Sequence, residues 1–151
     1  MTFVAIVREP IDPAYVLGLI GDDEDGASLL FLGVVRDHND GRSVGGVRYD
    51  AYEEMARQVL AEIVDEAASA ARTDRVAALH RVGELAVGEI SVAVAVSSPH
   101  RAESYEASRY IIEEIKKRLP VWKKERYSDG AEEWVEGQTP STSPAPQADA
   151  S

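Results

Sequence analysis

Residues 90–96, Ile90-Ser91-Val92-Ala93-Val94-Ala95-Val96, alternate strictly yet carry a single polar side chain. Alternation is the period of a strand, and a strand this apolar on both faces has to be covered on both. The next residues, Ser97-Ser98-Pro99-His100-Arg101, supply a hydroxyl for a cap and a proline for a first helical turn. The pattern therefore predicts a strand over 89–97 running into a helix capped by Ser97 or Ser98. That helix extends to about Leu119, where Pro120 stops it.

Working back from this unit, Arg75 to Val82 reads as a second strand, joined to the first around the turn Gly83-Glu84-Leu85. Glu53 to about Arg72 is the clearest helix, with Met55, Val59, Ile63 and either Glu66 or Ala67 on its apolar face. Val44 to Tyr52 reads as a strand in which Gly45-Gly46 marks a bulge or a close backbone approach. Ala27 to Arg36 is a rich apolar run, expected as a central strand, and Asp37 to Arg42 has the composition of a loop. Nearer the start, Phe3 to Arg8 is a strand, Asp12 caps a short helix with Pro13 at its first position, and residues 21–26 form an acidic turn. Downstream, Val121 to Tyr127 and Ala131 to Glu136 form a hairpin around Ser128-Asp129-Gly130. From Gly137 onward Pro, Ser, Thr, Gln and Ala dominate, which predicts a disordered tail over 137–151. The expected architecture is α+β: one domain over 1–136 with a mixed, largely antiparallel sheet, flanking helices and a C-terminal hairpin.

A chain of 151 residues suits one such domain. Its net charge of −11 argues against a general nucleic-acid binder, which needs a broad basic surface. With no cysteine there is no thiolate nucleophile, disulfide or Cys-based metal site. The opening residues lack the basic and long apolar regions of a secretory signal, and no run nears the roughly 20 apolar residues of a membrane span, so a cytoplasmic protein is expected.

Three segments have unusual polar density. Val34-Val35-Arg36-Asp37-His38-Asn39 ends a buried strand, where a rigid scaffold hands side chains to solvent; a solvated hairpin loop is the plainer reading. Ser97-Ser98-Pro99-His100-Arg101 combines free N–H groups at a helix start with an imidazole and a guanidinium, which favours an anion such as phosphate. Between Glu113 and Arg126 stand six Lys or Arg against three Glu, a cationic island on an acidic chain. Lysines near a helix C-terminus suit the helix dipole in any case. Lysines on both sides of a Pro120-Val121-Trp122 corner are less ordinary and suit proton transfer or nucleophilic work. His80 lies within a strand pattern and reads as structural, and three scattered histidines make no metal site.

Seven stretches in register give these segments a context: Asp23 to Ala27, Val35 to Asn39, Ile63 to Ala67, His80 to Leu85, Ser98 to Arg101, Pro120 to Glu125 and Trp134 to Glu136. Together they resemble the large, catalytic subunit family of molybdopterin synthase, over nearly all of residues 1–136. The resemblance implies a sulfurtransferase that converts cyclic pyranopterin monophosphate into molybdopterin by building a dithiolene. Sulfur arrives as a thiocarboxylate on the C-terminal Gly-Gly of a small ubiquitin-like partner, so no cofactor is expected. It further implies a homodimer of this chain with one small subunit at each end, a heterotetramer. The family's paired catalytic lysines fall on Lys116 and Lys123. Substrate-binding residues fall on Arg36, His100 and Arg101, with Lys124 beside them.

One expectation is physical. His100 and Lys116 lie 16 residues apart on one expected helix, roughly 24 Å along its axis, too far for a small pterin to span. The site is therefore expected to be shared: Arg36, Lys116 and Lys123 from one subunit, His100 and Arg101 from its mate. Gly137-Gln138 stand where family members can carry a basic residue, a role for which Arg126 or Lys124 could substitute. The rival readings are a non-catalytic dimeric small-anion-binding or sensor module, and a metal-dependent hydrolase for which no ligand cluster is present.

Overall fold

The computed structural model describes residues 1–135, so the tail expected over 137–151 lies outside the described residues. The elements run β1 (Thr2–Val7), α1 (Pro13–Leu17), β2 (Ala27–Val34), β3 (His38–Asn39), β4 (Arg42–Ala51) and α2 (Glu53–Ala71). They continue with β5 (Val76–Arg81), β6 (Gly83–Ala86), β7 (Ile90–Ser98), α3 (Arg101–Arg118), β8 (Val121–Tyr127) and β9 (Glu132–Val135). The α+β class and the C-terminal hairpin are as expected.

β5 and β7 form the middle of a four-stranded sheet of order β1-β5-β7-β2, with β1 parallel to β5 and the other pairs antiparallel. Strict alternation divides their side chains between two cores. Val76, Ala78, Val92, Val94 and Val96 pack with Leu60, Ile63 and Val64 of α2 and Ile111 and Ile115 of α3. Ala77, Leu79, Ala93 and Ala95 pack with Ile11 and Val16 on the other side. Both faces of β7 are thus covered, as its composition requires.

The remaining strands form a second sheet, β3-β4-β8-β9, with β6 also paired to β4. The ladder slips between Val44 and Gly46, so Gly45-Gly46 is a bulge. A Cβ on Gly46 would displace the Arg126 guanidinium and stand 3.0 Å from the Leu85 carbonyl oxygen, so a side chain here would crowd the three-strand junction.

Four expectations change. β2 is an edge strand, not a central one, and Phe31 and Val34 on it are exposed; an apolar run alone does not say how many neighbours a strand has. Gly83-Glu84-Leu85 is no turn but the start of β6, recruited by pairing with β4. The buried stripe of α2 is Ala56, Leu60, Ile63, Val64, Ala67 and Ala71, whereas Met55 is exposed, because alanines let the helix sit close on the sheet. Finally, neither Ser97 nor Ser98 caps α3. The N-cap is His100, without a side-chain bond, because the Ser97 hydroxyl donates to Asp25 (2.8 Å) and that of Ser98 to the His100 carbonyl (2.6 Å).

α2 and α3 are tied outside the core by Glu66, whose carboxylate accepts from Arg118 (2.8 and 3.1 Å) and from the Tyr110 hydroxyl (2.6 Å). The Arg118 guanidinium, then Tyr110, holds this carboxyl down at about 2, against an ordinary value of 4.5. A depressed pKa stabilises the fold above the ordinary value and ceases to do so as pH falls through the depressed one. Glu66→Gln should therefore melt below wild type near neutral pH, and the gap should close between pH 4.5 and about 2. Melting temperatures across an acid titration check this; a gap independent of pH would contradict it.

Candidate functional site

The site grows from the ladder between β4 and β8, where Tyr49 stands opposite Lys123, Arg48 opposite Lys124 and Val47 opposite Glu125. Residues directly opposite share a face, and neighbours along a strand take opposite faces. Lys123, Tyr49 and Glu125 therefore face one way, and Lys124, Arg48 and Arg126 the other.

On the first face the Tyr49 ring meets His80 edge to face, centroids 5.1 Å apart. His80 is buried in β5, and Lys116 in the last turn of α3 is the charged residue that acts on it. Lys123 thus stands across the ladder from Tyr49 on the strand beyond Pro120, while Lys116, at the helix end, acts on His80 by its charge. Burial drives the Tyr49 phenol up and the His80 imidazole down, the latter to about 4. Both are neutral at physiological pH, and Glu125 on the same face supplies a carboxylate to Lys123.

The three cations ending α3 differ from one another. Lys117 pairs with Glu114 at 3.6 Å, and Arg118 with Glu66 at 2.8 Å and Glu114 at 3.1 Å. Lys116 is exposed and has no carboxylate partner among the described residues. The plain reading, a helix end satisfied by basic residues, covers Lys117 and Arg118 but leaves Lys116 over.

Glu125 was not singled out from the sequence. It is buried, accepts from Asn39 Nδ2 (3.1 Å) and the Tyr127 hydroxyl (3.0 Å), and lies 4.0 Å from Lys123 Nζ. The available signal was parity, since a strand residue two past Lys123 shares its face. Glu125→Ala would leave the buried Tyr127 hydroxyl and the half-buried Asn39 amide without their acceptor, at a cost of about 3 kcal/mol, whereas Glu125→Gln keeps an acceptor and should cost about 1 kcal/mol. Urea unfolding of the two variants measures the difference, and equal losses would show that the carboxylate does not organise the corner.

The other expected residues are placed as follows. Arg36 follows Val35, which packs in the small core with Val47 and Tyr127; its side chain is exposed and engages no carboxylate among the described residues. His100 and Arg101 are exposed at the start of α3. The turn there is anchored by the Gly26 N–H, which donates to the Ser98 and Pro99 carbonyls at 3.1 and 3.2 Å. A Cβ on Gly26 would stand 2.7 Å from the Pro99 oxygen, so that approach requires glycine. Since α3 is one unbroken helix over 101–118, its two ends are not brought together within the chain.

Lys124 was grouped with the substrate-binding residues, but strand alternation turns it away from Lys123. It lies over the Trp134 ring at 5.1 Å and pairs with Glu132 at 3.4 Å. Arg126, the other substitute for a missing basic residue, pairs with Glu84 at 3.0 Å on the same outer side. These residues line a groove of about 270 Å³ in which Arg48, Lys124 and Arg126 face Asp50, Glu84 and Glu132. Three cations against three anions leave little net field for an anion, so the groove is a poorer candidate than the lysine corner. No three His, Asp or Glu side chains gather as a metal site among the described residues. No helix among them is long and apolar enough to cross a membrane.

Fold and corner together define a two-sheet α+β domain in which a helix end and a strand each carry a lysine near a half-buried tyrosine packed edge to face on a buried histidine. The sequence matches the MoaE protein family over residues 6–118. A molybdopterin synthase catalytic subunit of Halalkalibacterium halodurans is 43% identical over 139 residues, covering 92% of this chain and 88% of that protein. Molybdopterin synthase catalytic subunit 1 of Mycobacterium tuberculosis is 40% identical, covering 88% of this chain and 90% of its own. Among solved structures, molybdopterin synthase from Staphylococcus aureus superposes with a TM-score of 0.83 at 37% identity, covering 87% of this chain and 96% of that one. The MoaE protein of Burkholderia ambifaria superposes at 0.71 with 30% identity and 94% coverage of both chains. The chain belongs to the MoaE family.

Proposed function

We propose that this chain is the catalytic subunit of a molybdopterin synthase, a cytoplasmic sulfurtransferase. It takes sulfur from the thiocarboxylated Gly-Gly terminus of a small ubiquitin-like partner and places it on cyclic pyranopterin monophosphate. A dithiolene holds two sulfurs and each thiocarboxylate carries one, so two partner molecules are spent per product. The observation that carries this reading is membership of a family whose relatives bear that function in their names. It is supported by Lys123 standing opposite Tyr49, which packs edge to face on His80, with the charge of Lys116 acting on the same histidine. Lysine there serves as acid or base while sulfur attacks and the spent carboxylate leaves. The absence of cysteine suits an enzyme whose sulfur comes from elsewhere, and the reading calls for no cofactor.

In this reading two copies form a homodimer and two small subunits complete a heterotetramer. Arg36 joins the lysines of its own subunit, and His100 and Arg101 of the mate hold the substrate phosphate at a helix start. The test is direct. The chain is mixed with a thiocarboxylated Gly-Gly partner and cyclic pyranopterin monophosphate, and dithiolene product is followed by mass. Product that depends on both components supports the reading; partner binding without product would leave only a binding module.

A further inference from the structure

The acidic turn over 21–26 has no part in the chemistry proposed above. Asp22, Asp23 and Glu24 are exposed, but the Asp25 side chain is 3% exposed and that of Arg75 against it 19%. Arg75 grips Asp25 with both arms of its fork, Nε donating to Oδ2 at 2.5 Å and Nη2 to Oδ1 at 2.8 Å. Oδ2 also accepts the Ser97 hydroxyl at 2.8 Å. The Arg75 guanidinium outweighs burial and holds this carboxyl below its ordinary value, so Asp25 is charged.

From this pair a chain of bonds runs to the start of α3. The Ser97 N–H donates to the Arg75 carbonyl at 3.0 Å, and its carbonyl accepts the Thr73 hydroxyl at 2.7 Å. Residue 97 is thus fixed by backbone and side chain alike. One residue past Asp25, the Gly26 N–H donates to the Ser98 and Pro99 carbonyls, and the Ser98 hydroxyl donates to the His100 carbonyl at 2.6 Å. His100 itself makes no side-chain bond as N-cap. The turn is therefore placed by the acidic loop and not by a cap. An ion pair this far out of water adds little stability over apolar packing, and its best-attested use is to fix one arrangement of the chain.

We propose that Asp25 is a positioning residue for substrate binding: clamped by Arg75 and Ser97, it sets the turn over 97–100 that carries His100 and Arg101. The role deepens the reading of His100 and Arg101 as the residues that hold the substrate phosphate, and it rests on that reading. It also gives a purpose to Gly26, whose missing Cβ lets the loop close on the Pro99 carbonyl. The three exposed carboxylates of the loop are not needed for it. A single buried one, answered by a guanidinium, does the holding.

The test measures Kd for cyclic pyranopterin monophosphate in the enzyme assembled with the spent, carboxylate form of its partner, so that nothing turns over. Asp25→Asn keeps the shape and removes the charge that Arg75 answers. It should raise Kd about tenfold, the worth of one charged hydrogen bond to the phosphate. Gly26→Ala leaves the ion pair in place and pushes on Pro99 from the loop side. It should weaken binding to a similar degree, so the outcome does not hang on one variant folding. In a chain that already carries His100→Ala and Arg101→Ala, Asp25→Asn should add less than about twofold, because nothing is left to position. A wild-type Kd in both loop variants, whatever their melting temperatures, would mean that the loop only supports the fold, and the proposal falls. It falls equally if the tenfold loss persists in the chain without His100 and Arg101. A wild-type Kd in the His100→Ala, Arg101→Ala protein itself would overturn the phosphate reading, and with it the purpose given to Asp25.

Discussion

Lys116→Ala and Lys123→Ala are each expected to lower turnover of the assembled enzyme by about 10²–10⁴-fold, the range for losing a positioned acid or base. The effect should fall on kcat, because the role proposed for each lysine lies in the chemical step and the substitution leaves its scaffold intact. Lys116 is exposed at the end of α3, and Lys123 is part-exposed on β8, so neither truncation opens a cavity. Melting temperature and affinity for the small partner should stay close to wild type. Lys124→Ala is the internal control: it differs by one strand position, turns to the other face and should keep most of the activity. The same series separates the enzyme from a dimeric anion sensor. A sensor needs cations for affinity alone, so its variants would bind ligand more weakly and no turnover would be at stake. Unchanged product formation in both lysine variants would sink the catalytic assignment.

The second large effect is a recovery. Arg101→Ala and Lys116→Ala proteins should each be nearly inactive, yet a refolded mixture should regain about a quarter of wild-type turnover. In a two-fold dimer with shared sites, a mixed pair carries one site with both defects and one with neither. Random exchange makes about half of the dimers mixed, which sets the expected fraction. The structural basis is the unbroken α3, whose ends lie roughly 24 Å apart. A mixture of Lys116→Ala with Lys123→Ala should recover nothing, since the proposed site takes both lysines from the same chain. Recovery in that second mixture, or none in the first, would contradict a site shared between subunits.

Much of the fold was legible because local physics left few choices. The alternation of Ile90 to Val96, Asp12 before Pro13, Pro120 after the basic turn and Ser128-Asp129-Gly130 between two strands each set an element within a few residues. Asp12 does cap α1, accepting from the Ala14 N–H at 3.0 Å. What went unread depended on partners distant in sequence. β2 looked central because its composition records burial but not the number of neighbouring strands. β6 looked like a turn because four residues gain strand character only when β4 offers them a ladder. The serines looked like caps because nothing local reveals that Asp25, 72 residues away, accepts the Ser97 hydroxyl.

The same division runs through the site. Sequence by itself determined which residue types are present and in what order: a lysine on either side of a Pro-Val-Trp corner, a histidine and arginine at a helix start, and no cysteine. Those are properties of the chain, fixed by covalent order and short-range capping. Which lysine turns to which face was decided only by the tertiary structure. Lys123 and Lys124 are adjacent and chemically alike, but the strand period sends one to Tyr49 and the other to Trp134. Register with β4 then sets which face holds the candidate site, and the packing of α3 over β7 and β2 leaves Lys116 where its charge acts on His80, 36 residues away in the chain. Long-range pairing makes those choices because the stabilisation of a buried polar group comes from whatever packs against it.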